Sequence, residues 1–169
     1  MARKPSRIEV EISDTQAHLR VDRAGLRALV QEALRLEGWV RASISIAVVD
    51  DEAMHRINRT HLGHDWPTDV VTFPLSEARD AVLVGEIVVS AETACRAALE
   101  QCLDPRDELA LYVVHGLLHL CGYDDHSDAD VAVMRQREGE VLRAAGIPCG
   151  QAAAPHGRTL EHPRESEHL

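Results

Sequence analysis

The sequence predicts an α+β domain in which helices pack on one four-stranded mixed sheet. Four segments carry strand patterns, and four or five carry helical patterns that do not alternate strictly with the strands. The length of 169 residues fits one domain. Aromatic residues make up 3% of the chain against 45% hydrophobic residues, so we expect an aliphatic core. We expect a single domain over residues 1–146 and a disordered tail over residues 147–169.

The first half of the chain predicts two strands and two helices. Residues 8–12 alternate apolar and polar side chains, which is typical of a half-buried strand. Asp22 can cap a helix whose apolar residues follow helical spacing, and Gly38 marks its end. Residues 43–49 then predict a strand, and residues 52–61 predict a short helix.

Two further strands precede the next helix. Residues 69–73 are rich in β-branched side chains and follow a proline, so they predict a third strand. Residues 86–90 predict the fourth strand, and residues 91–101 predict a helix directly after it.

A strong start signal opens the central helix. Asp104 is placed to cap the helix, Pro105 occupies its first position, and acidic residues follow in the first turn. We expect this helix to run to about Cys121 and to end at Gly122, the residue type that favours a left-handed cap. Residues 128–145 predict a final helix.

Charge and composition exclude several classes of protein. The net charge of −10 disfavours a protein that coats nucleic acid non-specifically, and we expect no DNA partner. No apolar run approaches the ~20 residues that span a bilayer, and the first residues lack the apolar segment of a secretory signal. We therefore expect a cytoplasmic protein with no membrane partner, whose four cysteines are reduced thiols.

The central helix carries a candidate metal centre at its C-terminal end. His115 and His119 lie four residues apart, so both imidazoles share one helix face and can bind one ion. Gly122 ends the helix, and the chain can then supply a third ligand from Asp125 or His126. Three protein ligands leave a fourth tetrahedral position open for water, which is typical of a catalytic zinc.

One absence argues against a peptidase. Zinc peptidases of the His-Glu-x-x-His type place a general-base glutamate directly after the first histidine. Here that position is Gly116, which has no side chain to accept a proton.

Three ordered blocks resemble the YbeY family of bacterial endoribonucleases and rRNA maturation factors. Residues 115–126 resemble the family signature HGxLHLxGYDH. Residues 58–59 and 65–74 resemble its NR and PTDVLSFP blocks, and residues 85–90 resemble its GDI-I-S strand. The resemblance covers about residues 7–145.

The resemblance implies a zinc-dependent endoribonuclease, specific for single-stranded RNA, that acts on rRNA precursors. The family matures the 3′ end of small-subunit rRNA and takes part in ribosome quality control. The implied partners are therefore an rRNA precursor and the ribosomal small subunit with its proteins, and the implied cofactor is one Zn²⁺ per chain.

The metal ligands implied by the resemblance match this chain at two of three positions. The resemblance assigns His115 and His119 as ligands, but the family's third histidine falls on Asp125, with His126 one residue later. His126 is the preferred third ligand because zinc favours nitrogen, and Asp125 is the alternative because zinc also accepts carboxylate oxygen. The residue that does not bind the metal can orient a ligand.

The resemblance also gives Arg59 a catalytic role. A guanidinium near the metal can stabilise the negative charge that develops on phosphoryl oxygens. The alternative function is a ribosome-assembly factor that binds its partners, has a structural zinc and cleaves RNA little. The acidic net charge favours this alternative.

Overall fold

The computed structural model describes residues 5–62 and 68–148, so most of the predicted tail lies outside the described residues. In chain order the elements are β1 (Arg7–Asp14), α1 (Arg23–Leu36), β2 (Arg41–Val49), α2 (Asp51–Ile57), a π-helical turn (Asn58–Leu62), β3 (Val70–Pro74), β4 (Leu83–Ser90), α3 (Ala91–Gln101), α4 (Pro105–Leu120) and α5 (Asp128–Ala144). Every element predicted from the sequence is present, with ends that differ by a few residues at most.

The four strands form one mixed sheet in the order β1-β2-β4-β3. β1 and β4 both run parallel to β2, whereas β3 pairs antiparallel with β4 at the edge. The helices α1, α3, α4 and α5 gather on one face of this sheet. This arrangement confirms the α+β expectation of helices on a four-stranded mixed sheet.

α4 is the central helix of the structure. Every residue from Glu108 to Leu118 is buried, and α4 contacts α1, α3, α5, β3 and β4. Asp104 caps its first turn as predicted, because its side chain accepts the backbone N–H of Arg106. The helix ends before Gly122, whose φ of +103° lies in the left-handed region.

Gly116 allows α4 to lie unusually close to the sheet. A Cβ atom at this position would lie 3.0 Å from the Cγ2 methyls of Val70, Thr72 and Ile87 on β3 and β4. Glycine at position 116 therefore allows the helix to pack closely on the sheet. It also occupies the position at which zinc peptidases carry their general-base glutamate.

The opposite face of the sheet is partly covered by α2. Val49, Met54, Val71 and Val88 form a second, smaller apolar cluster there. The helix predicted over residues 52–61 is regular only to Ile57 and continues as the π-helical turn. Among the residues described, no helix combines the length and hydropathy needed to cross a bilayer.

Candidate metal centre

The two predicted histidines meet on α4. The Nε2 atoms of His115 and His119 lie 3.1 Å apart, and the two rings pack edge to face at 4.7 Å between centroids. Both side chains are nearly buried, with exposed fractions of 9% and 7%. The four-residue spacing therefore places two nitrogen donors at one point beneath the protein surface.

Asp125 supplies the third donor. Its Oδ2 atom lies 3.7 Å from Nε2 of His115 and 3.4 Å from Nε2 of His119. Tetrahedral zinc with bonds of about 2.1 Å places its ligand atoms roughly 3.4 Å apart. The three separations bracket that value, so these three side chains could hold a metal ion.

The turn after α4 brings Asp125 to the histidines. The N–H groups of Gly122 and Tyr123 donate to the carbonyls of His119 and Leu118, which closes the helix end and reverses the chain. The hydroxyl of Tyr123 donates to Glu37 Oε2 at 2.9 Å.

Helix α5 ties this turn to α1. Arg137 on α5 donates to the other carboxylate oxygen of Glu37 and to the carbonyl of Leu36. Glu37 thus joins the C-terminal end of α1 to Tyr123 and to α5.

His126 lies on the outer side of the same turn. Its side chain is 58% exposed, and its Nε2 atom is 3.1 Å from Oδ1 of Asp124. It belongs with Asp124 and Asp125 to a second, more exposed group of potential metal donors. The structure therefore groups Asp125, rather than His126, with the imidazoles of His115 and His119.

Glu138 is a site residue that the sequence reasoning missed. It lies on α5, is 4% exposed, and places Oε1 at 2.5 Å from Nδ1 of His115. A signal was available, because Glu138 interrupts the apolar face formed by Met134, Val141 and Leu142. A carboxylate among buried apolar residues needs a partner, and His115 is such a partner.

The electrostatic surroundings shift the pKa values of the two imidazoles in opposite directions. Burial lowers the pKa of His115, but the hydrogen bond and charge of Glu138, with the charges of Asp69 and Asp125, outweigh it and raise the pKa. Burial and the neighbouring charge of His115 lower the pKa of His119. This shift favours the neutral form of His119, which is the form that binds a metal.

Asp69 is a second buried carboxylate close enough to interact with His115. Burial raises its pKa to about 6, against the opposing effects of the His115 charge and a hydrogen bond from the Val70 backbone. Its Oδ1 atom accepts the Val70 N–H at 2.8 Å and the Thr68 hydroxyl at 3.4 Å, which fixes the entry into β3.

Arg59 lies on the π-helical turn, on the surface of the protein. Its side chain is exposed and takes part in none of the ion pairs found within residues 5–62 and 68–148. The same turn contacts β3, because the ring of His61 packs edge to face on Phe73 at 5.7 Å. The guanidinium is thus available to a ligand, but no measured contact joins it to the histidines.

The fold and this cluster define the class of protein. It is an α+β domain whose central helix presents a His-x-x-x-His pair to a carboxylate from the following turn, as a candidate metal centre. The family model described as Endoribonuclease YbeY matches residues 11–146. The chain belongs to this family.

Curated relatives agree with that assignment. A protein of Rhodopirellula baltica named Endoribonuclease YbeY is 45% identical over 117 residues, covering 68% of this chain and 60% of the relative. A protein of the same name from Carboxydothermus hydrogenoformans is 36% identical over 139 residues, covering 81% of this chain and 97% of the relative. The chain therefore spans about 60% of the length of the first relative and almost all of the second.

A solved structure shares the fold. The solution structure of a Thermotoga maritima protein matches with a TM-score of 0.57 and 24% identity, over 89% of this chain and 99% of that chain. This likeness concerns the arrangement of helices and strands only.

Proposed function

We propose that this protein is a zinc-dependent endoribonuclease that cleaves single-stranded RNA, with precursors of small-subunit rRNA as its substrates and a part in ribosome quality control. Membership of the family, whose curated relatives carry the name endoribonuclease, supports the reaction. The single observation that carries the metal dependence is the convergence of His115, His119 and Asp125 at ligand spacing.

We propose that these three side chains hold one zinc ion. The lowered pKa of His119 favours its neutral form, and the contact of Nδ1 of His115 with Glu138 leaves Nε2 of His115 as the nitrogen that faces His119 and Asp125. When bound, such an ion supplies Lewis-acid chemistry, which favours attack of water on a phosphodiester. Asp125 adds a negative charge to the ligand set, where a third histidine would be neutral.

Arg59 is proposed to bind the phosphate of the substrate. Its exposed guanidinium can donate two parallel hydrogen bonds to phosphoryl oxygens, and its positive charge offsets the charge that grows during cleavage. Because the net charge of the chain is −10, a local arginine contact with the phosphate is favoured over a broad basic surface.

The choice of third ligand is tested by a matched pair of variants. We expect Asp125→Ala to lose tight zinc binding and His126→Ala to keep it, as measured by metal content after dialysis against a weak chelator. The two residues are neighbours on one turn, so a general disturbance of the turn would affect both. The opposite result would assign the third ligand to His126.

Activity is tested with single-stranded and double-stranded RNA of the same sequence and highly purified protein. We expect His119→Ala to abolish cleavage of the single strand and Arg59→Ala to slow it by about 100-fold. Arg56→Ala is the control, because Arg56 lies on the preceding helix and pairs with Glu52. Parental rates in both His119→Ala and Arg59→Ala would show that the activity belongs to a contaminant.

The same variants separate this function from that of a ribosome-assembly factor. The net charge of −10 favours partners with basic protein surfaces. A His119 variant that still binds small-subunit particles and still supports rRNA maturation would favour the assembly factor. Retained binding with lost maturation would favour the nuclease.

A further inference from the structure

The contact between Glu138 and His115 joins two helices beneath the proposed metal centre. His115 lies on α4 and Glu138 on α5, and their side chains are 9% and 6% exposed. The carboxylate meets Nδ1, the ring nitrogen that faces away from His119 and Asp125. The contact is therefore placed to act on the ligand histidine without touching the metal.

We propose that Glu138 is a positioning residue that holds His115 with its proton on Nδ1, so that the lone pair of Nε2 faces the metal. This inference rests on the proposed function of His115 as a zinc ligand. A carboxylate that carries its charge only accepts hydrogen bonds, and opposite such a carboxylate Nδ1 is the donor. In a neutral imidazole the other nitrogen then carries the lone pair.

The alternative tautomer would prevent metal binding. A proton on Nε2 of His115 would point towards Nε2 of His119, only 3.1 Å away, and would occupy the position of the metal bond. The carboxylate acceptor disfavours that tautomer, and it also restrains rotation of the ring. Carboxylates that orient ligand histidines commonly strengthen metal binding 10–100-fold.

The apolar surroundings of Glu138 make its buried carboxylate depend on a polar partner. Its neighbours on the inner face of α5 are Met134, Val141 and Leu142, each at most 2% exposed. An apolar side chain would suit such a position, because a buried carboxylate loses hydration that only a good partner restores. The buried imidazole of His115 provides that partner.

The test compares Glu138→Gln and Glu138→Ala with Glu140→Gln as the control. Glu140 lies on the same helix, but its side chain is 39% exposed and pairs with Arg137 on the surface. Zinc affinity is measured by competition with a chromophoric chelator at fixed pH. We expect affinity to fall about tenfold for Glu138→Gln and about 100-fold for Glu138→Ala, and to stay unchanged for Glu140→Gln.

A second measurement keeps the test independent of metal binding. Nitrogen-15 chemical shifts of the metal-free protein, recorded at a pH high enough to make the His115 imidazole neutral, report which of its nitrogens is protonated. We expect protonated Nδ1 in the parent and a mixture of tautomers in Glu138→Ala. Glu138→Gln is nearly isosteric, and its thermal unfolding shows whether the fold is kept.

The outcomes separate this inference from the proposed function. Parental zinc affinity and an unchanged tautomer in both Glu138 variants, with affinity lost in His115→Ala, would overturn the positioning role and leave the metal centre standing. Parental zinc affinity in His115→Ala would overturn the proposed metal centre itself, and the positioning role with it.

Discussion

Replacing Gly116 by alanine tests the close approach of α4 to the sheet. The new Cβ would meet three methyl groups at 3.0 Å, on Val70, Thr72 and Ile87. Carbon atoms in good contact lie about 3.5–4.0 Å apart, so all three contacts are too short. The three side chains are β-branched and stiff at χ1, and they lie on two hydrogen-bonded strands. The strain can be relieved only by moving the helix or the sheet.

Two opposing effects set the size of the change. Alanine gains about 1 kcal/mol over glycine in a helix interior, whereas overpacking a core costs about 1–3 kcal/mol. With three stiff neighbours we expect the cost at the upper end, so Gly116→Ala should lower the free energy of unfolding by about 1–2 kcal/mol. Because Gly116 lies between the two histidines, the shift of α4 should also weaken zinc binding.

Gly139→Ala on α5 is the matched control. The nearest atoms that a Cβ would meet there belong to the guanidinium of Arg143, at 3.1 Å and beyond, and the end of a flexible side chain can move aside. The gain in helix propensity should then dominate, and stability should rise by up to about 1 kcal/mol. Urea unfolding followed by circular dichroism measures both changes. Equal stabilisation by the two alanines would refute the argument that packing requires glycine at position 116.

Three further predictions concern charge and metal. Asp69→Asn should remove a pH dependence of the free energy of unfolding. The pKa of Asp69 is about 6 in the folded protein against about 3.9 in the unfolded chain, so the parent loses about 3 kcal/mol of stability as the pH rises through this window. Urea titrations between pH 4 and 7 should give a flatter pH profile for the variant than for the parent. Glu37→Gln should lower the free energy of unfolding by about 2 kcal/mol, because Arg137 and Tyr123 lose the carboxylate they share; a change below the precision of chemical denaturation would contradict this. Free zinc at 100 times its dissociation constant should stabilise the metal-depleted protein by about 2.7 kcal/mol, which raises its Tm. His119→Ala should show no such rise in Tm. Equal shifts of Tm in the two proteins would indicate that zinc binds elsewhere.

The candidate site combines a local pattern with contacts from distant segments. The histidine pair needs only one helix, but Asp125 depends on the turn after α4, and Glu138 comes from α5. If Asp125 is the third ligand, as proposed, its carboxylate gives the ligand set one more negative charge than a neutral histidine would. The turn after α4 places the Asp125 carboxylate 3.4 Å from Nε2 of His119 and 3.7 Å from Nε2 of His115.

Local interactions explain what the sequence predicted by itself. Alternation over residues 8–12, the cap at Asp22 and the Asp104-Pro105 start act within one strand or one helical turn. They therefore identify β1, α1 and α4 without knowledge of their neighbours. The spacing of His115 and His119 is likewise a property of one helix, so the sequence was sufficient to pair them.

The tertiary structure decided which distant groups meet. The insertion of β4 between β2 and β3, the contact of Gly116 with two strands, and the pairing of Glu138 with His115 depend on how complete elements pack. Which of Asp125 and His126 lies against the two histidines depends on the path of one turn: the Asp125 carboxylate is 3.4 Å from His119, whereas His126 is 58% exposed and contacts Asp124. Burial of shared apolar surface selects these long-range contacts, and a pattern confined to one segment does not contain that information.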